Sequence, residues 1–169
     1  SLDAETLDHY ELGASQRFGN LAKLDLTLFY DGGNNRIVMV SPPFPPVWKN
    51  VGAFHTKGLE TTVTATPAEN LALFGGFTVL EAHPTDLPYT PNWTASAGTT
   101  YRFLTHFKLS VDCQYVDHQN ALSRARNVSA INTSRIDSYF LLNAKLSYGF
   151  KLPFWDRGGQ IFVAGGNLT

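Results

Sequence analysis

Apolar and polar residues alternate along most of this chain in long runs. Leu24, Leu26 and Leu28, for example, alternate with polar or charged neighbours from Lys23 to Thr27. Successive side chains of a strand point to opposite faces of a sheet, so each run predicts a strand with one apolar and one polar face. Such runs lie near residues 10–18, 23–30, 58–65, 71–79, 93–103, 107–115, 140–150 and 160–166. We therefore expect an antiparallel all-β fold of eight strands, and the phase of the last strand stays open.

The length of these runs separates two classes of β protein. Strands of soluble proteins most often contain about 5–6 residues, whereas a tilted transmembrane strand needs about 9–11 residues to cross the hydrocarbon core. Most runs here reach the second length, and charge is almost confined to their polar phase. A lipid-facing surface and a water-lined interior produce that distribution. The runs therefore favour an up-and-down transmembrane β-barrel.

Aromatic residues concentrate at the strand ends, as in the two interfacial girdles of an outer-membrane barrel. The alternative interpretation is ordinary core aromatics. Beside short connections lie Phe18, Tyr101, Phe103, Phe107, Tyr148 and Phe150, and beside long ones lie Tyr10, Tyr30, Trp93, Tyr115 and Tyr139.

Short and long connections alternate strictly along the chain. Residues 19–20, 66–70 and 104–106 are short, whereas 31–50, 81–91 and 117–135 are long. Short periplasmic turns and long extracellular loops are typical of outer-membrane barrels. The predicted first and last strands both have their free ends on the long-loop side. We therefore expect residues 1–169 to be a partial barrel, with at least one strand missing at each end.

Composition excludes several functions. Only 16% of residues are charged and the formal net charge is −1, so nothing predicts nucleic-acid binding. The single cysteine, Cys113, excludes a disulfide framework and a cysteine-rich zinc site. The five histidines lack the spacing of a metal site, and no serine lies in a nucleophile motif. We expect no enzyme activity, no metal centre and no cofactor.

Several short motifs occur in the order found in TonB-dependent outer-membrane receptors. The chain contains, in sequence, residues 10–13 (YELG), 50–52 (NVG), 56–60 (TKGLE), 142–146 (LNAKL) and 162–169 (FVAGGNLT). Each motif is weak alone, but together they make the whole chain resemble the C-terminal barrel portion of these receptors.

This resemblance implies a fold and a function. Such receptors are barrels of about 22 strands whose lumen is plugged, and they import scarce nutrients with energy relayed by TonB. It implies that this chain supplies about eight strands of such a barrel in the bacterial outer membrane, without the plug and the final strand. Implied partners are membrane lipid, lipopolysaccharide, a ferric siderophore or similar nutrient, and TonB through the plug. An autonomous eight-stranded outer-membrane barrel and a soluble lipocalin-like ligand binder remain alternatives.

The first long connection supplies two candidate ligand-binding residues. Residues 41–48 (SPPFPPVW) contain four prolines, which restrict the backbone and reduce the entropy lost on ordering. They present Phe44 and Trp48, whose rings could stack on a catecholate or haem-like ligand. Capping of the barrel rim is the alternative role.

The other long connections supply four weaker candidates. Arg124 and Arg126 could hold an anionic ferric chelate through their guanidinium groups. Contact with lipopolysaccharide phosphates, or a plain solvated loop, explains these two arginines better than ligand binding does. His83 and Tyr89 complete the predicted set.

Overall fold

The computed structural model of the 169-residue chain describes residues 1–40, 43–121, 134–151 and 158–169. Those residues contain no helix that is long and apolar enough to cross a bilayer. The strands are β1 (Thr6–Phe18), β2 (Ala22–Asn34), β3 (Arg36–Val40), β4 (Val47–Val51), β5 (Phe54–Ala68), β6 (Leu71–His83), β7 (Trp93–Phe103), β8 (Phe107–Val116), β9 (Gln119–Asn120), β10 (Arg135–Ile136), β11 (Tyr139–Lys151) and β12 (Gly158–Gly165).

Eight long strands form one antiparallel sheet in the order β1-β2-β5-β6-β7-β8-β11-β12. This confirms the predicted all-β meander of eight strands. The four short strands were not predicted, and they form two hairpins, β3–β4 and β9–β10, within the long connections. Their strands have only five or two residues, too few to establish a period in the sequence.

The strand register joins the apolar phases of neighbouring strands into one continuous surface. Leu28 pairs with Leu12 on one side and Leu59 on the other, and Leu59 pairs with Val79. We call this surface the apolar face, and we call the opposite surface, which contains Asp25 and Glu60, the polar face.

The register also settles the phase of the last strand. Val163 pairs with Leu146, and Ile161 pairs with Tyr148, so both lie on the apolar face. Phe162 lies on the polar face, where the Lys145 Nζ is 3.9 Å from the centre of its ring.

Aromatic rows cross the apolar face near both ends of the strands. At the short-turn end, a row of ring contacts runs through Tyr101, Phe103, Phe107, Tyr148 and Phe150. At the long-loop end, contacts join Tyr10, Tyr30, His55 and His83, and separately Phe77, Trp93 and Tyr115.

One aromatic residue departs from the predicted girdle. Tyr139 pairs with Val116, which also pairs with Thr94, so Tyr139 lies on the polar face. Its position beside a long loop was predicted correctly, but that position does not determine which face a side chain occupies.

The turn between β5 and β6 is shorter than predicted. β5 continues through Pro67 to Ala68, and the pairing with β6 shifts between Ala65 and Ala68. Proline has no N–H to donate to the ladder, so it is tolerated where the pairing is irregular.

The sheet is a single layer with little interior. Among the described residues, the only buried apolar side chains belong to Val40, Leu87 and Val116. A sheet normally buries its apolar face against another layer, yet Leu12 and Leu28 on the apolar face are 71% and 54% exposed. β1 and β12 are the edges of the open sheet and do not pair with each other. Such pairing is what an autonomous eight-stranded barrel requires.

Candidate ligand-binding surface

The β3–β4 hairpin presents two of the predicted ligand-binding residues at the long-loop end. Trp48 lies opposite Met39 in the hairpin and is 61% exposed. Phe44, in the turn between the two strands, is 91% exposed. The structure therefore places both rings on one hairpin and in contact with solvent, as the sequence predicted.

Asn50 anchors the base of this hairpin. Its Oδ1 accepts a hydrogen bond from the Asp3 N–H at 2.8 Å. Its Nδ2 donates to the Asp3 carbonyl at 2.9 Å and to the Asn35 carbonyl at 2.6 Å. The Ile37 N–H adds a bond to the Glu5 carboxylate at 3.2 Å. These bonds attach the hairpin to the segment before β1. Sequence reasoning quoted Asn50 as part of a motif but gave it no role.

Tyr89 belongs to a second structure at the same end. Its N–H donates to the Asn120 carbonyl at 2.8 Å, and the Asn120 amide donates to the Thr85 carbonyl at 3.3 Å. These bonds dock the connection between β6 and β7 onto the β9–β10 hairpin. Asp86 and Leu87 of the same connection are buried. The Tyr89 side chain stays 61% exposed.

Of the other three predicted site residues, the structure describes only His83, which does not join these rings. His83 pairs with His55 on the apolar face, and their rings stack at 5.2 Å between centroids. His83 therefore belongs to the aromatic row and not to the polar face. Arg124 and Arg126 lie outside the described residues.

A polar cluster that sequence reasoning missed lies on the polar face near the long-loop end. The His9 Nδ1 lies 2.6 Å from Asp31 Oδ1, and its Nε2 lies 3.3 Å from Glu11 Oε2. The Thr56 hydroxyl donates to the other Asp31 oxygen at 3.1 Å. The alternation already placed His9 and Glu11 in the polar phase, but Asp31 joins them only through the β1–β2 pairing.

None of these groups forms an evident metal site. In the ranges that the structure describes, no three His, Cys, Asp or Glu side chains are grouped so that they could hold an ion. The hydrogen bonds of the His9 cluster link the long-loop ends of β1, β2 and β5.

The long-loop end thus combines exposed aromatic rings with an adjoining polar sheet face, on a scaffold of long amphipathic strands. The model of one protein family, described as "TonB dependent receptor-like, beta-barrel", matches residues 1–168. The chain belongs to this family. The predicted resemblance is confirmed over almost the whole sequence.

Solved structures of several receptors for ferric chelates share the fold. A ferric enterobactin receptor (PfeA) mutant from Pseudomonas aeruginosa matches with a TM-score of 0.70 at 19% identity, over 99% of this chain and 26% of the receptor. BauA, the ferric preacinetobactin receptor of Acinetobacter baumannii, matches with 0.71 at 20%, over 96% and 25%. The ferric-catecholate import receptor Fiu of E. coli K12 matches with 0.66 at 18%, over 97% and 23%.

What this TonB-dependent receptor-like chain shares with these solved structures is the fold. At such identities the likeness establishes the fold alone. The chain spans about a quarter of the length of the matched receptors. The names of these three proteins describe receptors of ferric chelates.

Proposed function

We propose that this chain forms part of the wall and the outer loops of a bacterial outer-membrane receptor that imports a ferric siderophore. The observation that carries the proposal is the exposed apolar face between two aromatic rows, in a chain of the TonB-dependent receptor-like family. An exposed apolar face of this kind is stable in contact with lipid, and the two aromatic rows would lie at the level of the lipid headgroups. The apolar face would then point outward, and the polar face would line the lumen.

The open sheet and the chain's share of the matched receptors support a partial barrel. Unpaired strand edges are not viable in lipid, so β1 and β12 would pair with further strands of the same receptor. In this proposal, residues 1–169 are one section of the barrel domain. TonB would act through a plug carried by the same receptor, and lipopolysaccharide would contact the long-loop end.

The proposed ligand class follows from the chemistry of the β3–β4 hairpin. Phe44 and Trp48 offer rings for stacking on a catecholate, and Lys49 next to Trp48 offers a cation to a negatively charged chelate. Lys49 forms no ion pair with any residue that the structure describes. Arg124 and Arg126 would extend this cationic surface, and Tyr89 would add a further exposed ring.

The exposed rings of the hairpin give this proposal a direct test. Phe44→Ala and Trp48→Ala together should weaken binding of a ferric catecholate roughly tenfold, because each stacked ring contributes about 0.5–1.5 kcal/mol. The measurement is binding of a radiolabelled iron chelate to whole cells that carry the receptor. A radiolabel is used in place of tryptophan fluorescence because Trp48 itself is substituted. Leu104→Ala is the matched control, since Leu104 is 77% exposed at the opposite, short-turn end.

Deletion of the gene tests the transporter assignment itself. Cells that lack the receptor should lose uptake of one ferric chelate and grow poorly when iron is limiting. Unchanged uptake of every ferric chelate tested would overturn the siderophore assignment. Loss of cobalamin, sugar or copper uptake in the same cells would reassign the substrate and keep the transporter class.

A further inference from the structure

Two histidines lie side by side on the apolar face at the long-loop end of the sheet. His55 of β5 and His83 of β6 are register partners, and the centroids of their rings are 5.2 Å apart. His83 is exposed, and His55 is half-buried. The two residues lie far apart in the sequence, so no spacing along the chain reveals the pair. The pairing of β5 with β6 brings their imidazoles together.

Neither imidazole has a hydrogen-bond partner among the residues that the structure describes. The rings of His9 and His118, in contrast, lie 2.6 and 2.9 Å from carboxylate oxygens. On its other side His55 meets only the ring of Tyr30, at 6.0 Å between centroids. A ring nitrogen of each histidine in the pair is therefore available to a ligand from outside the chain.

The separation of the two rings suits two ligands of one metal ion. A bond of about 2.0–2.1 Å from Zn²⁺ to an imidazole nitrogen puts the centre of that ring about 3.2 Å from the ion. Two such rings at the tetrahedral angle have centres about 5.2 Å apart. The centroids of His55 and His83 already have this separation. Rotation about the side-chain torsions would direct one nitrogen of each ring to the same ion.

We propose that His55 and His83 form a binding site for one divalent transition-metal ion, of the class of Zn²⁺ and Cu²⁺. Each imidazole would supply one nitrogen, and water would fill the other positions. No third His, Cys, Asp or Glu side chain of the described ranges joins the pair, so the site is an open one. The ion would be separate from any iron carried by an imported chelate. The inference depends neither on the orientation of the apolar face nor on the nutrient.

The neighbouring pair of side chains on the same face determines which metals suit the site. Lys57 and Glu81 are register partners, and the Lys57 Nζ lies 3.2 Å from Glu81 Oε2. This ion pair engages the Glu81 carboxylate, so the protein ligands are two nitrogen atoms. Imidazole nitrogen favours Cu²⁺, Ni²⁺ and Zn²⁺, whereas Mg²⁺ and Ca²⁺ prefer oxygen. We expect Cu²⁺ to bind more tightly than Zn²⁺, and Ca²⁺ to leave the bound Zn²⁺ in place.

The test measures Zn²⁺ binding to the receptor that contains this chain, purified in detergent micelles, by equilibrium dialysis. His55→Gln and His83→Gln should each remove one bound equivalent and weaken binding at this site at least about tenfold. Loss of a group that only orients a metal ligand already costs about 10–100-fold. Because His83 is exposed, His83→Gln should assemble normally and carries the test on its own.

His106→Gln is the matched control. His106 lies in the turn between β7 and β8 at the opposite, short-turn end, so its substitution removes an imidazole without touching the pair. It should leave the number of bound Zn²⁺ ions and their affinity unchanged. Equal Zn²⁺ binding by the unsubstituted receptor and His83→Gln, or an equal loss in His106→Gln, would overturn the proposal.

Two further measurements separate a shared ion from binding to a single histidine. The electron paramagnetic resonance spectrum of bound Cu²⁺, taken as the difference between the unsubstituted receptor and His83→Gln, should show coupling to two imidazole nitrogens. An ion held by both strands also stabilises their pairing by mass action. Zn²⁺ should therefore raise the urea midpoint of the unsubstituted receptor and of His106→Gln more than that of His83→Gln. Coupling to one nitrogen only, or an equal rise in all three proteins, would contradict a shared site.

Discussion

Leu26→Arg should sharply reduce the amount of assembled protein in the outer membrane, whereas Thr27→Arg, one residue further, should be tolerated. Leu26 lies on the apolar face, midway along β2 between Ala22 and the Tyr30 of the aromatic row, and it is 38% exposed. If this face contacts lipid, an arginine near the bilayer midplane costs about 2–4 kcal/mol.

Thr27 provides the control on the other face of the same strand. It pairs with Gly13 on one side and Glu60 on the other, so an arginine there would have space and a carboxylate opposite it. The measurement is the fraction of heat-modifiable, protease-resistant barrel in purified outer membranes, followed by urea unfolding in lipid vesicles. Equal loss at both positions, or at Thr27 alone, would contradict the orientation of the faces.

The sheet itself could be predicted because its pattern is local. A strand exposes alternate residues to alternate faces, so Leu24, Leu26 and Leu28 reveal one face without knowledge of any partner strand. In the structure, neighbouring strands pair so that these apolar phases join, across the short β1–β2 turn and across the long connection between β2 and β5. A single displaced residue would have moved a whole apolar set to the other face.

The long-loop end could be predicted only in part. Phe44 and Trp48 were recognised because prolines and aromatic rings are visible in the sequence. The bonds that hold their hairpin were not, since Asn50 reaches Asp3 across 47 residues of chain. The His9–Asp31 contact was missed for the same reason, because it depends on the β1–β2 pairing and not on a spacing within one strand.

The roles of two glycines on the polar face also could not be predicted, because they arise from contacts across strands. Gly58 pairs with Phe29, and Gly98 pairs with Phe74. In each pair the phenylalanine ring occupies the space where a Cβ of the glycine would lie. Nothing in the sequence alone shows which aromatic side chain lies across from which glycine. The structure therefore gives a reason for glycine at these two positions, which the alternation of apolar and polar residues does not.

Gly58→Ala should destabilise the barrel strongly, although it adds a single methyl group. A Cβ at this position would meet the backbone oxygen of Val79, and it would lie 2.7 Å from Cζ of Phe29. The ring can move, but the backbone oxygen belongs to the paired strand β6 and cannot. Overpacking of this kind costs about 1–3 kcal/mol. We expect a lower urea midpoint in vesicles and less assembled protein.

Two further variants separate the backbone clash from the ring clash. Gly52→Ala is the control, because a Cβ there has no neighbouring heavy atom within 4 Å. Its stability should match that of the unsubstituted protein. Phe29→Ala combined with Gly58→Ala removes the ring clash and leaves the clash with the Val79 oxygen. Gly58→Ala should therefore lower the urea midpoint less in the Phe29→Ala background than in the unsubstituted protein. It should still lower the midpoint more than Gly52→Ala does. Full recovery would assign the whole effect to the ring, and an unchanged midpoint in Gly58→Ala would refute the close approach of β5 and β6.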